Sequence, residues 1–221
     1  MKTDRKIYEE LGEGNGFLLT DYTNDYESYV KNQKYLNEKK FNSMPGCNDS
    51  KDIFKKIRDE VLNRNQNPTF GLCHGVRSGL ENKILGELLN CKVIGTEIGD
   101  KFGYPEITIQ WDMHEIKDEW LGACDVIYSN ALDHSYDPIY CLNQWAKTLK
   151  PTGMIVLQHG ISGGHYIPKS LSDKKYSPGD PFNAPISIYE EICKNYTPLK
   201  VSEIKRWSNS SSDVHLLIEL K

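Results

Sequence analysis

Four of the six histidines stand where a side chain could move a proton during a reaction. His74, His114, His134 and His159 lie at or just after the apolar runs that predict β-strands. Imidazole titrates near neutral pH and can therefore accept a proton from a reacting hydroxyl. We expect His134 to be the general base, with Asp133 orienting its ring, and we take His159 as the second candidate.

Glycines and an acid follow the first two predicted strands of the main domain. The strand over 69–73 leads into a turn in which Gly75 lets the backbone bend sharply and Gly79 lets the next helix pack on the strand. A plain strand-to-helix turn would use the same residues. Glu97 ends the next strand about 20 residues later, the spacing of an acid that binds both hydroxyls of a ribose.

Polar residues also follow the third and fourth predicted strands. Asp112 stands beside Met113, a pair that offers a polar partner and an apolar surface to an adenine ring. The apolar run over 124–129 passes directly into Asn130. In open α/β sheets the carboxyl ends of the strands face the ligand crevice, so these residues are expected to lie near the turn after the first strand.

The elements that must position these residues alternate between strand and helix. Strands are predicted over 69–73, 92–97, 106–110, 124–129 and 154–158, with helices over 81–89, 138–149 and 186–194. Two closing strands, 199–206 and 214–220, have only a polar turn between them. This pattern predicts an α/β fold with a seven-stranded, mostly parallel Rossmann-like sheet, an antiparallel C-terminal hairpin, and helices on both faces.

The first 46 residues differ from the rest in being polar and rich in tyrosine. A helix is expected over about 25–40, although its apolar periodicity is weak. The Pro-Gly pair at 45–46 then marks a turn. We therefore expect residues 1–46 to be an extension packing on a main domain of residues 47–221, either over the site or in a homodimer.

Composition limits the class of protein. The 221 residues are 38% hydrophobic and 26% charged, which suits one globular domain. A net charge of −4 argues against a nucleic-acid partner. There is no secretory pattern and no apolar run long enough for a membrane helix, and the six cysteines form no Cys-x-x-Cys pair. We expect a cytoplasmic protein with reduced thiols.

From about residue 68 onward, this order of strands, glycines and acidic residues resembles the class I S-adenosylmethionine (SAM) dependent methyltransferase family. The likeness is to small, single-domain, bacterial-type members. Gly75 and Gly79 match the family's glycine-rich loop, Glu97 its ribose-binding acid, and 149–153 (LKPTG) its Leu-Lys-Pro-Gly-Gly turn. The chain departs from the family in having Cys73 where an acid is common and Arg77 in place of the central glycine.

The resemblance implies SAM as cofactor and S-adenosylhomocysteine (SAH) as product. The residues implied to contact SAM are Cys73, His74, Gly75, Arg77, Gly79, Glu97, Ile98, Asp112, Met113, His114 and Asn130. Its chemistry would be methyl transfer to a small polar acceptor. We expect methylation of oxygen, because Asn130 is not followed by the Pro-Pro-aromatic sequence of nitrogen methylation. We expect a sugar or a phosphorylated metabolite as acceptor, because the loops predicted to face the cleft are polar and not lined with aromatic residues.

The long polar segment over 160–185 is either a lid over the acceptor or a plain surface loop. His165, Tyr166 and Lys169 are its candidate acceptor contacts. Some family members hold a divalent metal through carboxylates after the fourth and fifth strands. The fifth strand here ends in Gln158-His159-Gly160 without an acidic pair, so no required metal is expected.

Three different functions remain compatible with the sequence. A nicotinamide-dependent Rossmann oxidoreductase would also place an acid after the second strand, but it would normally carry Gly-x-Gly-x-x-Gly in the first turn. A non-catalytic SAM-binding module would keep the fold without turnover. Methylation of RNA or protein is disfavoured by the acidic charge and the absence of a Lys/Arg tract.

Overall fold

The computed structural model describes residues 2–12, 17–22, 24–43, 47, 49–160, 180–207 and 213–221. In chain order these form α1 (Arg5–Gly12), β1 (Leu18–Leu19), α2 (Tyr26–Ser43), α3 (Lys51–Arg64), β2 (Phe70–His74), α4 (Leu80–Leu89), β3 (Lys92–Glu97), β4 (Thr108–Gln110), β5 (Cys124–Ser129), α5 (Pro138–Thr148), β6 (Leu149–Gly160), β7 (Phe182–Asn183), α6 (Ile186–Tyr196), β8 (Leu199–Lys205) and β9 (Asp213–Leu220). No helix within these ranges is both long enough and apolar enough to cross a bilayer.

Seven strands form one sheet in the order β4-β3-β2-β5-β6-β9-β8. Strands β2 to β6 run parallel, and β9 is antiparallel to both β6 and β8. The predicted α/β class, the seven strands and the antiparallel C-terminal hairpin are confirmed. Because β2 lies between β3 and β5, the strand order reverses direction at the β2–β5 boundary, where open sheets bind their ligands.

Strand β6 begins five residues earlier than the sequence pattern predicts. Leu149 already pairs with Cys124 of β5, ahead of an irregularity in the register. The turn-like residues 150–153 therefore belong to the strand. Gly153 allows this because a Cβ atom there would lie 2.5 Å from the carbonyl oxygen of Cys124. A side chain at this position would prevent the two backbones from approaching so closely.

The sheet has an apolar core on each face. Every residue of β5 is buried, and from Val126 to Tyr128 its side chains alternate between the two cores. Ile127 packs in the core that contains Trp145 of α5, whereas Val126 packs in the core that contains Phe54 of α3 and Leu85 of α4. Helices thus cover both faces, as the alternation of strand and helix predicts.

The segment before α2 is joined to the start of α5 by one buried carboxylate. Asp137 accepts hydrogen bonds from the backbone N–H groups of Lys2 (2.6 Å) and Thr3 (2.9 Å) and from the hydroxyl of Tyr8 (2.7 Å). The same side chain caps α5 by accepting from the N–H of Tyr140. Helix α1, which the sequence pattern did not predict, is held on the main sheet in this way.

A second carboxyl group is buried in the first turn of α4. Glu81 is 3% exposed, and its Oε2 atom has no hydrogen-bond partner within the described ranges. Burial raises the pKa of Glu81 to about 8, because the charged form is poorly solvated there. At neutral pH this side chain is therefore a buried neutral acid.

Replacing Glu81 with Gln should remove a pH-dependent loss of stability. The pKa of Glu81 is about 8 in the folded chain and 4.5 ordinarily, so the folded state binds the additional proton between these values. Stability must then fall as the pH rises from 4.5 to 8. Glu81→Gln stays neutral, so its midpoint of thermal unfolding should match that of the wild type near pH 4.5 and exceed it by several degrees at pH 8. If the difference between the two unfolding midpoints stays the same from pH 4.5 to pH 8, this account is contradicted.

Candidate functional site

A cleft opens at the carboxyl ends of the parallel strands and is covered by α2. Helix α2 contributes Tyr29, Gln33, Leu36, Asn37 and Lys40 to its lining. The loops that follow β2 to β5 contribute Gly75, Arg77, Glu97, Ile98, Trp111, Asp112, Met113, Asn130, Ala131, Asp133 and His134. Thr96, Gln158, Gly160, Asp180 and Asp213 complete it. Parallel strands end at one side of a sheet, which is why loops distant in sequence meet here.

The turn after β2 is tight and packs closely against the loop after β5. The N–H groups of Gly75 and Val76 both donate to the carbonyl of Thr96, at 2.8 and 3.2 Å. Gly75 has φ of +73°, and a Cβ atom there would lie 2.3 Å from the Cβ of Ala131. Arg77 also adopts a left-handed conformation, with φ of +48°. The position where the family has its central glycine thus keeps a glycine-like backbone although it carries arginine.

The carboxylate of Glu97 is fixed at the end of β3 and lines the cleft. Its Oε2 accepts the N–H of Arg77 at 2.7 Å, and its Oε1 accepts the N–H of Gly99 at 3.1 Å. An ionised carboxylate has about four acceptor positions. Two of these positions remain for a ligand, and a pair of adjacent hydroxyls would suit them.

The carboxylate of Asp112 holds several parts of the cleft wall together. Its Oδ1 accepts from Nδ1 (2.6 Å) and the backbone N–H (2.9 Å) of His114, and its Oδ2 accepts from the hydroxyl of Tyr26 (2.6 Å). The Nε2 atom of His114 lies 2.7 Å from the hydroxyl of Ser135. Burial opposes ionisation of Asp112, but the hydrogen bonds from His114 and Tyr26 outweigh it and hold the pKa of Asp112 at about 2.

Of the predicted site residues that the structure describes, five do not line the cleft. Cys73, His74 and His114 are 0 to 1% exposed, and Gly79 opens α4 with φ of +81°. The ring of His74 bonds Thr96 and stacks on Trp145, with centroids 4.7 Å apart. Burial lowers the pKa of His74 to about 3, so that ring is neutral.

His159 is the fifth residue outside the cleft lining. Its ring packs on Tyr189 of α6, with centroids 4.8 Å apart, whereas its neighbours Gln158 and Gly160 do line the cleft. Successive side chains of a strand point to opposite faces, which explains why one residue separates the two environments. The structure therefore does not bring the second candidate base into the cleft.

His134 does line the cleft, next to Asp133 on the short 3₁₀ turn Leu132–His134. Its Nδ1 lies 3.0 Å from the Oε1 of Gln33, and its Nε2 lies 3.6 Å from the Oδ1 of Asp180. These two partners come from α2 and from the segment before β7, and sequence reasoning identified neither. The expected acceptor contacts His165, Tyr166 and Lys169 fall outside the described residues.

A group of acidic residues lines one side of the cleft. Asp133 follows β5, Asp213 begins β9, and Asp180 precedes β7, so three carboxylates stand at the β5–β6–β9 side. Asp133, His134 and Asp180 each bring one potential ligand atom within 4.8 Å of the others. In number and type, these three groups could hold a divalent cation.

No protein-family model matches the sequence, and no curated protein matches it. Solved structures do match. The 1,6-didemethyltoxoflavin N1-methyltransferase of Burkholderia thailandensis, solved with 1,6-didemethyltoxoflavin and SAH, is 9% identical over 88% of this chain and 90% of its own, with a TM-score of 0.67. The CcbJ methyltransferase of Streptomyces caelestis is 14% identical over 87% and 98%, with a TM-score of 0.59.

The sugar N-methyltransferase KedS8 of a Streptoalloteichus species is 10% identical over 76% of this chain and 87% of its own, with a TM-score of 0.55. Sequence identities this low show a shared fold. The chemistry has to be argued from the residues of the cleft. The predicted resemblance is confirmed at that level: the chain has the class I SAM-dependent methyltransferase fold.

Proposed function

We propose that this protein is a SAM-dependent methyltransferase that methylates a hydroxyl of a small polar acceptor such as a sugar. The observation that carries the proposal is the Glu97 carboxylate, which two backbone N–H groups fix beside the glycine turn of the cleft. An acid at the end of the second parallel strand suits a ribose, and SAM is a nucleoside. One solved neighbour, the Burkholderia enzyme, has SAH bound.

The sheet order divides the proposed site into two halves. Glu97 and Asp112 stand at the ends of β3 and β4, where the nucleoside would bind. Asn130, Asp133 and His134 stand beyond β5, on the other side of the switch in strand order. The sulfonium methyl group of SAM would lie between these halves, so we assign the β5–β6–β9 side to the acceptor.

The chemistry required of the protein is positioning and proton removal. SAM supplies an electrophilic methyl group, and the acceptor must be held in line with it. A hydroxyl must also lose its proton, and the imidazole of His134 is the group in the acceptor half that we assign to this role. Gln33, whose Oε1 lies 3.0 Å from Nδ1, would orient the ring, and Nε2, on the side of Asp180, would be the atom that takes the proton. The orienting role expected of Asp133 stays a prediction.

The charge of the acceptor half bears on the acceptor. Asp133, Asp180 and Asp213 would repel a phosphate group, which counts against a phosphorylated metabolite and favours a neutral polyhydroxyl compound. The same carboxylates would attract a protonated amine, which makes N-methylation of an amino sugar or a related small amine the second candidate function. That candidate rests on these carboxylates alone.

A nicotinamide oxidoreductase and a non-catalytic SAM-binding module have less support. The turn after β2 lacks the Gly-x-Gly-x-x-Gly sequence of a nicotinamide enzyme. A non-catalytic module would have no need of His134 in the acceptor half. We further propose that the reaction needs no metal and takes place in the cytoplasm, where the six free thiols would remain reduced.

Replacing Glu97 with Ala should weaken SAM and SAH binding about a hundredfold, because two hydrogen bonds from ribose hydroxyls to a charged group are lost. Isothermal titration calorimetry of both proteins with SAH measures the change, with NAD as a control ligand. Glu87→Ala, which removes an exposed acid of α4, is the matched control and should bind SAH as the wild type does. Absence of SAH binding by the wild type would exclude the proposed cofactor, and binding of NAD instead would favour the oxidoreductase.

Replacing His134 with Gln should lower kcat about 10²–10⁴-fold while leaving the SAH dissociation constant within about twofold, because a base acts on the acceptor and not on the cofactor. Turnover is measured as the amount of SAH formed. Each sugar is tested as acceptor beside the corresponding amino sugar.

Equal turnover by the variant would remove His134 from the mechanism. Turnover of amino sugars alone would favour the second candidate function, and complete loss of turnover in EDTA would overturn the metal-free proposal and direct attention to Asp133, His134 and Asp180.

A further inference from the structure

Asn37 of α2 carries a buried donor inside the cleft. The residue is 8% exposed and belongs to the cleft lining. Its Nδ2 atom has no hydrogen-bond partner in the part of the chain that the structure describes. Buried amide N–H groups are almost always hydrogen-bonded, so one without a partner in a ligand cleft points to a ligand atom that accepts from it.

The position of Asn37 ties it to the acid at the end of β3. Its amide packs directly on Gly99, where a Cβ atom would lie 2.5 Å from Oδ1 and 2.6 Å from Cγ of Asn37. The N–H of Gly99 in turn donates to Glu97. The amide group of Asn37 and the fixed carboxylate of Glu97 therefore both lie against Gly99, in the same part of the cleft.

The two groups are chemically complementary toward a ribose. The Glu97 carboxylate can only accept, so it takes hydroxyl hydrogens and leaves the hydroxyl oxygens in need of a donor. The Nδ2 group of Asn37 is such a donor. We propose that Asn37 is a further cofactor-binding residue, donating to a ribose oxygen of the nucleoside whose hydroxyls Glu97 accepts. This inference rests on the proposed SAM function.

The surroundings of α2 are suited to holding Asn37 in that place. Near its start, the hydroxyl of Tyr26 donates to Asp112, and near its end, Glu38 forms an ion pair with Lys101. One contact is to the loop after β4 and the other to the loop after β3. Helix α2 would thus supply part of the nucleoside site in addition to covering it.

The test compares Asn37→Leu with Asn32→Leu. Leucine is close to asparagine in size but cannot donate, and Asn32 lies on the same helix without lining the cleft, so it controls for the change in helix propensity. Calorimetry gives the dissociation constants of SAH and of 5′-methylthioadenosine, which lacks the amino-acid portion of SAH. Thermal unfolding without ligand gives the stability of each variant.

We expect Asn37→Leu to weaken both ligands about tenfold or more, because a ribose oxygen loses its donor inside the cleft. The unfolding midpoint of the ligand-free variant should not fall, because an unpartnered polar group has been removed. Asn32→Leu should bind both ligands as the wild type does. If Asn37→Leu does not fold, Asn37→Asp keeps the shape, replaces the donor with an acceptor, and should show the same loss for both ligands.

Three results would overturn the inference. Unchanged affinity of Asn37→Leu, with a wild type that binds SAH, would refute the contact and leave the proposed function intact. Weaker SAH binding with unchanged 5′-methylthioadenosine binding would show that Asn37 contacts the amino-acid portion of SAH and not the ribose. A wild type that binds neither nucleoside would overturn this inference together with the proposed function.

Discussion

The cleft depends on the hydrogen bonds that converge on Asp112. This carboxylate receives the hydroxyl of Tyr26 from α2 and the ring of His114 from its own loop, and that ring continues to Ser135 beyond the 3₁₀ turn. Three segments distant in sequence thereby acquire fixed positions relative to one another. Hydrogen bonds to an ionised group in a poorly solvated site are strong, and a buried charge that lost them would be costly. Asp112 thus acts as a structural support, whether or not a ligand shares its oxygens.

A consequence of this support is that the two halves of the cleft are built differently. The half at the ends of β3 and β4 is fixed by backbone groups and by the Asp112 network, which suits a cofactor of constant shape. The half at the ends of β5 and β6 and the start of β9 carries side chains from several segments, including Asp133, Asp180 and Asp213. Within a shared fold, differences of this second kind decide which acceptor is used.

Much of the sheet was predictable because its signal is local. A buried strand such as Cys124–Ser129 is a continuous apolar run, and the residues after such runs reach the cleft by the geometry of parallel strands. Glu97, Asp112 and His134 reach the cleft in this way. His159 was not predictable to the same degree, because one step along a strand reverses the side to which a side chain points.

The individual residues that α2 contributes to the cleft could not have been inferred from the sequence. Its buried positions Tyr29, Gln33 and Asn37 mix apolar and polar side chains, so the apolar periodicity is weak. Asp180 and Gln33 contact His134 although they are 46 and 101 residues away from it in the sequence. Contacts between residues so far apart leave no local pattern in the sequence. The sequence left open whether this segment covers the site or forms a dimer, and in the structure α2 lines the cleft.

The place of β9 in the sheet affects how the chain is made. Strand β9 lies between β6 and β8, although it is the last strand in sequence. While the ribosome synthesises the roughly 60 residues between Gly160 and Leu220, β6 has no partner on one side for about 3–12 s at typical rates of elongation. An unpaired, apolar strand of this kind is prone to association with other chains. Protection of the nascent polypeptide is therefore most needed in the interval between the synthesis of β6 and that of β9.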